Sequence, residues 1–133
     1  MLENTLNILK KHESFHDWYL LGVAADMERQ IVELRLIFDN KEDRARLLFK
    51  GATRCWINDF LIQNIISSIK VLSDFDADEY KKALFSLDRS YPWGKGKPLK
   101  NIAIIEATLG ADVLIEFDSL DVEPESPSTG TYI

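Results

Sequence analysis

The apolar residues of this chain recur first at helical spacing and then at every second position. Leu2, Leu6 and Leu9 share one face of a helix, which predicts a helix over about residues 2–12. From Tyr19 onward, apolar and polar residues alternate, as in a sheet that buries one face and wets the other. The alternation predicts strands at about residues 19–27, 32–38, 44–50, 53–58, 62–72, 101–109 and 111–122.

Two interruptions break this series of strands. The acidic stretch 74–78 offers helix-capping groups, and apolar residues then recur at helical spacing, which predicts a helix at about 77–89. Residues 90–100 contain two prolines and two glycines, which predicts a loop. In the last strand the alternation slips near Ser119, which predicts a bulge.

These elements predict an α+β fold made mainly of antiparallel β-sheet, a sandwich or partly open barrel of about seven strands with the two helices. Residues 1–123 are expected to form a single domain, and residues 124–133, rich in proline, serine and threonine, a flexible tail. The alternation also predicts one continuous core, formed by Val32, Leu34, Leu36, Phe38, Leu47, Phe49, Val113, Ile115 and Phe117.

The composition is that of a globular domain and excludes several other classes. Hydrophobic residues make up 46% of the chain and charged residues 29%, unlike disordered, collagen-like or disulfide-built proteins. No apolar run approaches the ~20 residues that span a bilayer, and no secretory signal pattern is present. The single cysteine, Cys55, cannot form an internal disulfide and fits a reducing compartment. These features favour a cytoplasmic location and no membrane partner.

Charge is divided unevenly along the chain, whose formal net charge is −6. Residues 1–100 carry 16 basic and 15 acidic side chains, whereas residues 101–133 carry seven acidic and none basic. Because an acidic end repels phosphate backbones, we expect no nucleic-acid partner. Asp112, Glu116 and Asp118 point the same way along the last strand. They predict either an acidic face that steers a basic partner or an ordinary solvated strand face.

Residues 12–16, H-E-S-F-H, match the H-E-x-x-H signature of zinc metalloproteases. That chemistry needs one helix, which directs both histidines to the metal while the glutamate activates its water. Here the helical pattern ends near His12 and strand alternation has begun by Tyr19, so the motif is expected to span a helix end. The chain also has only two histidines. We therefore predict no catalytic residue, metal or cofactor, with His12, Glu13 and His16 kept as an alternative zinc site.

The loop at 90–100 is the other candidate for function. Tyr91 and Trp93 lie beside lysines there, and exposed aromatic residues next to cations are typical of interface anchors. The alternative is that both rings fold back over the sheet. The predicted partner-binding residues are therefore Tyr91, Trp93, Asp112, Glu116 and Asp118.

Several short segments resemble a group of small bacterial β-rich proteins, some of which are assigned as immunity proteins of polymorphic toxin systems. Phe15-His16-Asp17 leading into Leu20-Leu21-Gly22-Val23 resembles their F-H-D opening strand. Phe49-Lys50-Gly51 resembles their phenylalanine-x-glycine motif, and Gly51-Ala52-Thr53-Arg54 resembles the strand that follows it. Asp59-Phe60 through Gln63-Asn64-Ile65 is similar to their D-F-x-x-Q-N-I/V segment. Leu109-Gly110-Ala111-Asp112 through Phe117 to Val122 resembles their closing strand, with Leu109 in place of an aromatic residue. The resemblance implies a non-enzymatic role and places the histidine–aspartate pair at the start of a strand.

Together these observations predict a non-enzymatic, cytoplasmic bacterial protein that binds and sequesters a partner protein in the manner of an immunity protein. A basic toxin is the kind of partner that the acidic face favours. Two alternatives stay open: a zinc-dependent hydrolase built on His12, Glu13 and His16, and a structural accessory domain. The pattern does not determine the oligomeric state.

Overall fold

The computed structural model describes residues 2–40, 42–94 and 96–125. It contains two α-helices, two short 3-10 turns and eight strands. The helices are α1 (Leu2–Lys11) and α2 (Asp78–Ser90), and the 3-10 turns are Glu13–Phe15 and Pro92–Gly94. The strands are β1 (Tyr19–Asp26), β2 (Ile31–Ile37), β3 (Arg44–Lys50), β4 (Arg54–Asn58), β5 (Ile65–Leu72), β6 (Asn101–Leu109), β7 (Asp112–Phe117) and β8 (Ser119–Glu125).

All eight strands pair antiparallel, in the order β4-β7-β6-β5-β1-β2-β3-β8. The sheet has two four-stranded halves, because β5 and β1 pair at a single register position, Tyr19 with Ile65. The chain passes from one half to the other between β3 and β4, and it returns at Asp118, the single residue between β7 and β8. There the Asp118 amide donates to the Lys50 carbonyl over 2.9 Å. The two halves therefore face each other like the layers of a sandwich.

The main core lies between these halves. Phe49 of β3 and Phe117 of β7 meet edge to face across it, with ring centroids 5.1 Å apart, and both are fully buried. Helix α1 adds Leu9 to this core. Helix α2 covers the outer face of β6 and β7 through Tyr80, Ala83 and Leu87. The α+β fold class, the antiparallel sheet and both helices are confirmed, with all eight strands in one sheet.

The last predicted strand is divided in the structure. The slip in alternation near Ser119 marks a bend at Asp118, beyond which the chain pairs with β3 instead of β4. Strand β8 continues to Glu125, with Pro124 opposite Ala45. The remainder of the predicted tail, residues 126–133, lies outside the described residues.

The predicted core is confirmed with one exception. Phe38 is 37% exposed, whereas the other eight predicted members are buried. Strand β2 ends at Ile37, so the alternation stops one residue before Phe38. Its ring then lies against Trp18, with centroids 5.2 Å apart, at the margin of the sheet. The expectation that Phe38 is a core residue is wrong.

The acidic residues of the last strands are mostly paired with basic residues from earlier in the chain. Six of the seven contact a lysine or arginine, and three of these pairs form because β8 lies beside β3 and β7 beside β4. The ion pairs are Glu106–Lys70, Glu116–Arg54, Asp118–Lys100, Asp121–Lys50, Glu123–Arg46 and Glu125–Arg35. The charge asymmetry of the sequence therefore becomes local pairing in the fold. Among the described residues, no helix has the length and apolar character needed to cross a membrane.

Candidate interaction site

A buried ion pair lies where the long β7–β8 segment bends. The side chains of Arg54 and Glu116 are 2% and 8% exposed. Arg54 donates from Nη2 to Glu116 Oε2 over 2.8 Å and from Nε to Oε1 over 3.1 Å, a two-pronged contact. Arg54 Nη1 also donates to Asp88 Oδ1 over 2.7 Å, and the Thr53 hydroxyl donates to Glu116 Oε1 over 2.5 Å. The buried charges are thus compensated by hydrogen-bonded partners.

Both members of this pair stay charged at neutral pH. Burial on its own would raise the pKa of Glu116, but the hydrogen bonds from Arg54 and Thr53, with the charges of Arg54 and Lys100, outweigh it. The pKa of Glu116 therefore lies below its ordinary value. The hydrogen bond to Glu116 is the main reason that the pKa of Arg54 is raised.

Arg54 also supports the start of the loop at 91–100. Its Nη1 donates to the Tyr91 carbonyl over 3.3 Å. The turn at Gly94 lies directly on the guanidinium, since a Cβ atom there would come within 2.7 Å of Arg54 Nε. Glycine is required at this position unless the buried arginine moves.

The end of the same loop is fixed through Lys100. Its ammonium donates to the carbonyl of Gly51 and lies 3.3 Å from Asp118 Oδ1. Its own carbonyl accepts a 2.6 Å hydrogen bond from the hydroxyl of Tyr80, a fully buried residue of α2. The loop is thus held near both ends by groups that belong to the sheet and to α2.

Tyr91 and Trp93 stand on this support and remain in contact with solvent. Tyr91 is 46% exposed and Trp93 is 74% exposed. Their ring centroids are 5.2 Å apart, at an interplanar angle of 49°. The alternative that both rings fold back over the sheet is wrong.

Two adjoining cavities open beside the aromatic pair. One, of about 180 Å³, lies beneath Trp93 and Gly94 and reaches Lys100 and Glu116. The other, of about 230 Å³, lies between the β1–β2 hairpin and β4 and includes Ala25 and Cys55. Both are lined by Gln30, Thr53, Arg54 and Tyr91. The burial of Cys55 raises the pKa of its thiol to about 11, so it is a poor nucleophile at neutral pH.

The three predicted acidic residues do not form one exposed row. Glu116 is buried and neutralised by Arg54, so the expectation that it presents a free negative charge is wrong. Asp118 is exposed but paired with Lys100 at the bend. Asp112 is exposed at the far end of β7, where it accepts a 2.9 Å hydrogen bond from the Ala107 amide. Tyr91, Trp93 and Glu116 therefore meet at one site, Asp118 borders it through Lys100, and Asp112 lies elsewhere.

The H-E-S-F-H motif spans the end of a helix, as its surroundings in the sequence predicted. Helix α1 ends at Lys11, and Glu13, Ser14 and Phe15 all have φ between 52° and 56°, a left-handed turn. The His12 ring stacks on Phe15, with centroids 4.8 Å apart, and His16 Nδ1 lies 2.8 Å from the Ser67 carbonyl oxygen. The single helix that a zinc site of this type requires is therefore missing from the motif. Within the described ranges no group of three histidine, cysteine or acidic residues could hold a metal ion.

Sequence reasoning missed the groups that support the site: Arg54, Asp88 and Lys100. Arg54 alternates with Cys55 along the predicted strand, and that alternation does not indicate a buried ion pair. The one available signal in the sequence was the pair of loop glycines, Gly94 and Gly96, of which Gly94 packs on Arg54. No protein-family model and no curated protein matches this chain.

Proposed function

We propose that this protein is a non-enzymatic binding protein that sequesters a partner protein, in the manner of an immunity protein, through the surface around Tyr91 and Trp93. The observation that carries the proposal is a largely exposed tryptophan on a loop that is fixed at both ends. Tryptophan and tyrosine are enriched among residues that dominate binding energy. A loop anchored at both ends loses less conformational entropy on binding than a free loop, which favours affinity.

The shape of this region suits a protein surface better than a small substrate. Its two cavities are small, and the charged groups beneath them already bind one another. The aromatic rings project beyond this base, as anchors do that enter a pocket on a partner. The overall charge of −6 favours encounter with a basic partner, and a reducing cytoplasm in a bacterium is the proposed location.

The proposal is tested by mixing the purified protein with the products of the genes next to its own. We expect one of them to form a stable complex that elutes as a single species in size-exclusion chromatography. Binding is expected to remain at physiological ionic strength, because a desolvated aromatic anchor depends little on salt. If each neighbouring product elutes separately at micromolar concentrations, the proposal is contradicted.

A further inference from the structure

The two halves of the sheet leave two open sides, and the two sides differ. On one side α1 contacts the edge strands β8 and β5 and inserts Leu9 into the core. On the other side the edge strands are β1 and β4. In the part of the chain that the structure describes, neither helix lies between them, since α2 contacts β4 from the outer face of the sheet.

Strand β1 has an open edge along most of its length. It joins β5 only near Tyr19, where the Leu20 amide also donates to the Asn64 carbonyl over 2.8 Å. Among the described residues, β1 pairs with β2 alone from residue 22 to residue 26. A row of backbone donors and acceptors therefore faces away from β2.

The register identifies which groups face outward. The Phe38 amide donates to the Asp43 carbonyl. The backbone N–H and C=O groups of even-numbered β2 residues therefore point to β3, and those of odd-numbered residues point to β1. The β1 partners of the odd-numbered β2 residues are Gly22, Ala24 and Asp26, whose backbone groups therefore bond to β2. The backbone groups that point to the open edge are those of Val23 and Ala25.

The same reasoning applied to β8 shows a protected edge. The backbone groups of Leu48 in β3 point to Asp121 in β8, so odd-numbered residues of β8 bond to β3 and even-numbered residues point outward. The backbone of Pro124 therefore faces outward, where its missing N–H costs no hydrogen bond. Proline and lysine at such positions prevent unwanted strand pairing. Residues 22–26 of β1, G-V-A-A-D, contain neither. The small side chains of this segment leave room for another backbone to approach.

The opening between β1 and β4 leads to the core. Val23 and Cys55 are only partly buried, although both pack against the main core. The cavity of about 230 Å³ at this place is lined by Ala25 and Cys55 of the two edges, by polar residues that include Gln30 and Thr53, and by Tyr91. It is therefore continuous with the aromatic pair of the proposed binding surface.

The far end of the opening is an apolar loop, residues 60–62. Leu61 is held by the buried side chain of Asn64, which accepts from its amide and donates to its carbonyl, both over 2.9 Å. Phe60, Leu61 and Ile62 are nonetheless exposed. Because Tyr91 lies at the other end, the opening between β1 and β4 has apolar surface at both of its ends.

We infer that this side binds one extended segment of a partner protein, which adds to the edge of β1 as a strand and places every second, apolar side chain between β1 and β4. The inference rests on the proposed function and specifies how the partner is held. The added strand would pair over about five residues, or about 17 Å. Main-chain hydrogen bonds give such complexes affinity, and the side-chain pockets give specificity. A single segment fits better than the sheet edge of a second copy, because β4 lies across the opening.

The test uses a phage-displayed library of random peptides of about 12 residues, selected on the full-length protein and counter-selected on Ala25→Pro. This substitution removes one outward N–H and leaves the bonds to β2. Ala24→Val is the control, since the Ala24 backbone bonds to β2 and its side chain lies on the face of β1 opposite the cavity. We expect selected peptides with alternating apolar residues. They should bind Ala25→Pro at least about tenfold more weakly and Ala24→Val within about threefold of the original protein.

Two readouts on the unaltered protein keep the test independent of the folding of Ala25→Pro. Bound peptide should slow hydrogen exchange at the amides of Val23 and Ala25, and it should slow the reaction of Cys55 with a thiol reagent. Failure to enrich any peptide over the counter-selection, or protection of other amides only, overturns the inference. A dimer that protects these amides without peptide would assign the edge to a second copy instead. A neighbouring-gene product that binds without protecting them would defeat the inference and leave the proposed function standing.

Discussion

Replacing Arg54 by methionine is expected to lower the free energy of unfolding by about 3–5 kcal/mol, because it leaves the carboxylate of Glu116 buried without its charged partner. Methionine keeps most of the side-chain length, so the loss reports chiefly on the charge and its hydrogen bonds. Urea denaturation at pH 7 measures it. The loop at 91–100 should loosen as well, since Tyr91 and Gly94 rest on the guanidinium.

The double variant Arg54→Met with Glu116→Gln is the control. It removes the orphaned charge, so it is expected to recover part of the stability lost in Arg54→Met. The pH dependence gives an independent check. In the original protein the pKa of Glu116 is lowered, so its contribution to stability is present above the unfolded pKa and is lost as pH falls through the folded pKa.

In Arg54→Met the sign reverses. Without Arg54, only the Thr53 hydrogen bond and the charge of Lys100 oppose the effect of burial, so the pKa of Glu116 should rise above its ordinary value and the folded state should bind the proton more tightly than the unfolded state. The stability of this variant should therefore rise as pH falls from 7 towards 5. Equal stabilities of Arg54→Met and the original protein across this range would show that the pair is solvated and does not organise the site.

Phe49→Ala is expected to cost about 3–5 kcal/mol, because it empties a fully buried position that bridges the two halves of the sheet. Phe38→Ala is the matched comparison: the same atoms are removed from a residue that is 37% exposed and packs against Trp18. Its expected cost is about 1 kcal/mol. Thermal or urea unfolding of both variants measures the difference. Similar losses for the two would contradict the pairing register of β2 with β3.

The sequence predicted the local elements well because their signal is periodic. Strand β2 alternates Val32, Leu34 and Leu36 with polar residues, and the burial follows that alternation. Strand β6 has the predicted bounds for the same reason. The prediction that Phe38 is a core residue failed because periodicity does not show where the pairing of a strand ends.

The candidate site was harder to predict because it depends on contacts between distant segments. Glu116 and Arg54 are 62 residues apart and meet only because β4 pairs with β7. Alternation correctly placed Glu116 opposite the main core, but it gave no sign that Arg54 and the loop at Gly94 cover that outer face. Tyr91 and Trp93 were recognised from residue type alone, and their exposure required the structure.

The central claim, that the fixed aromatic pair anchors a partner protein, is tested most directly by measuring the affinity of Trp93→Ala for the neighbouring-gene product that forms the complex. Phe85→Ala is the control, because Phe85 is an exposed aromatic residue (62%) on α2 that lines a different cavity, together with Asp112. We predict that Trp93→Ala weakens binding by at least about 30-fold, or about 2 kcal/mol, mainly through faster dissociation, while Phe85→Ala changes it by less than about threefold. Equal affinities of Trp93→Ala and the original protein would contradict the account.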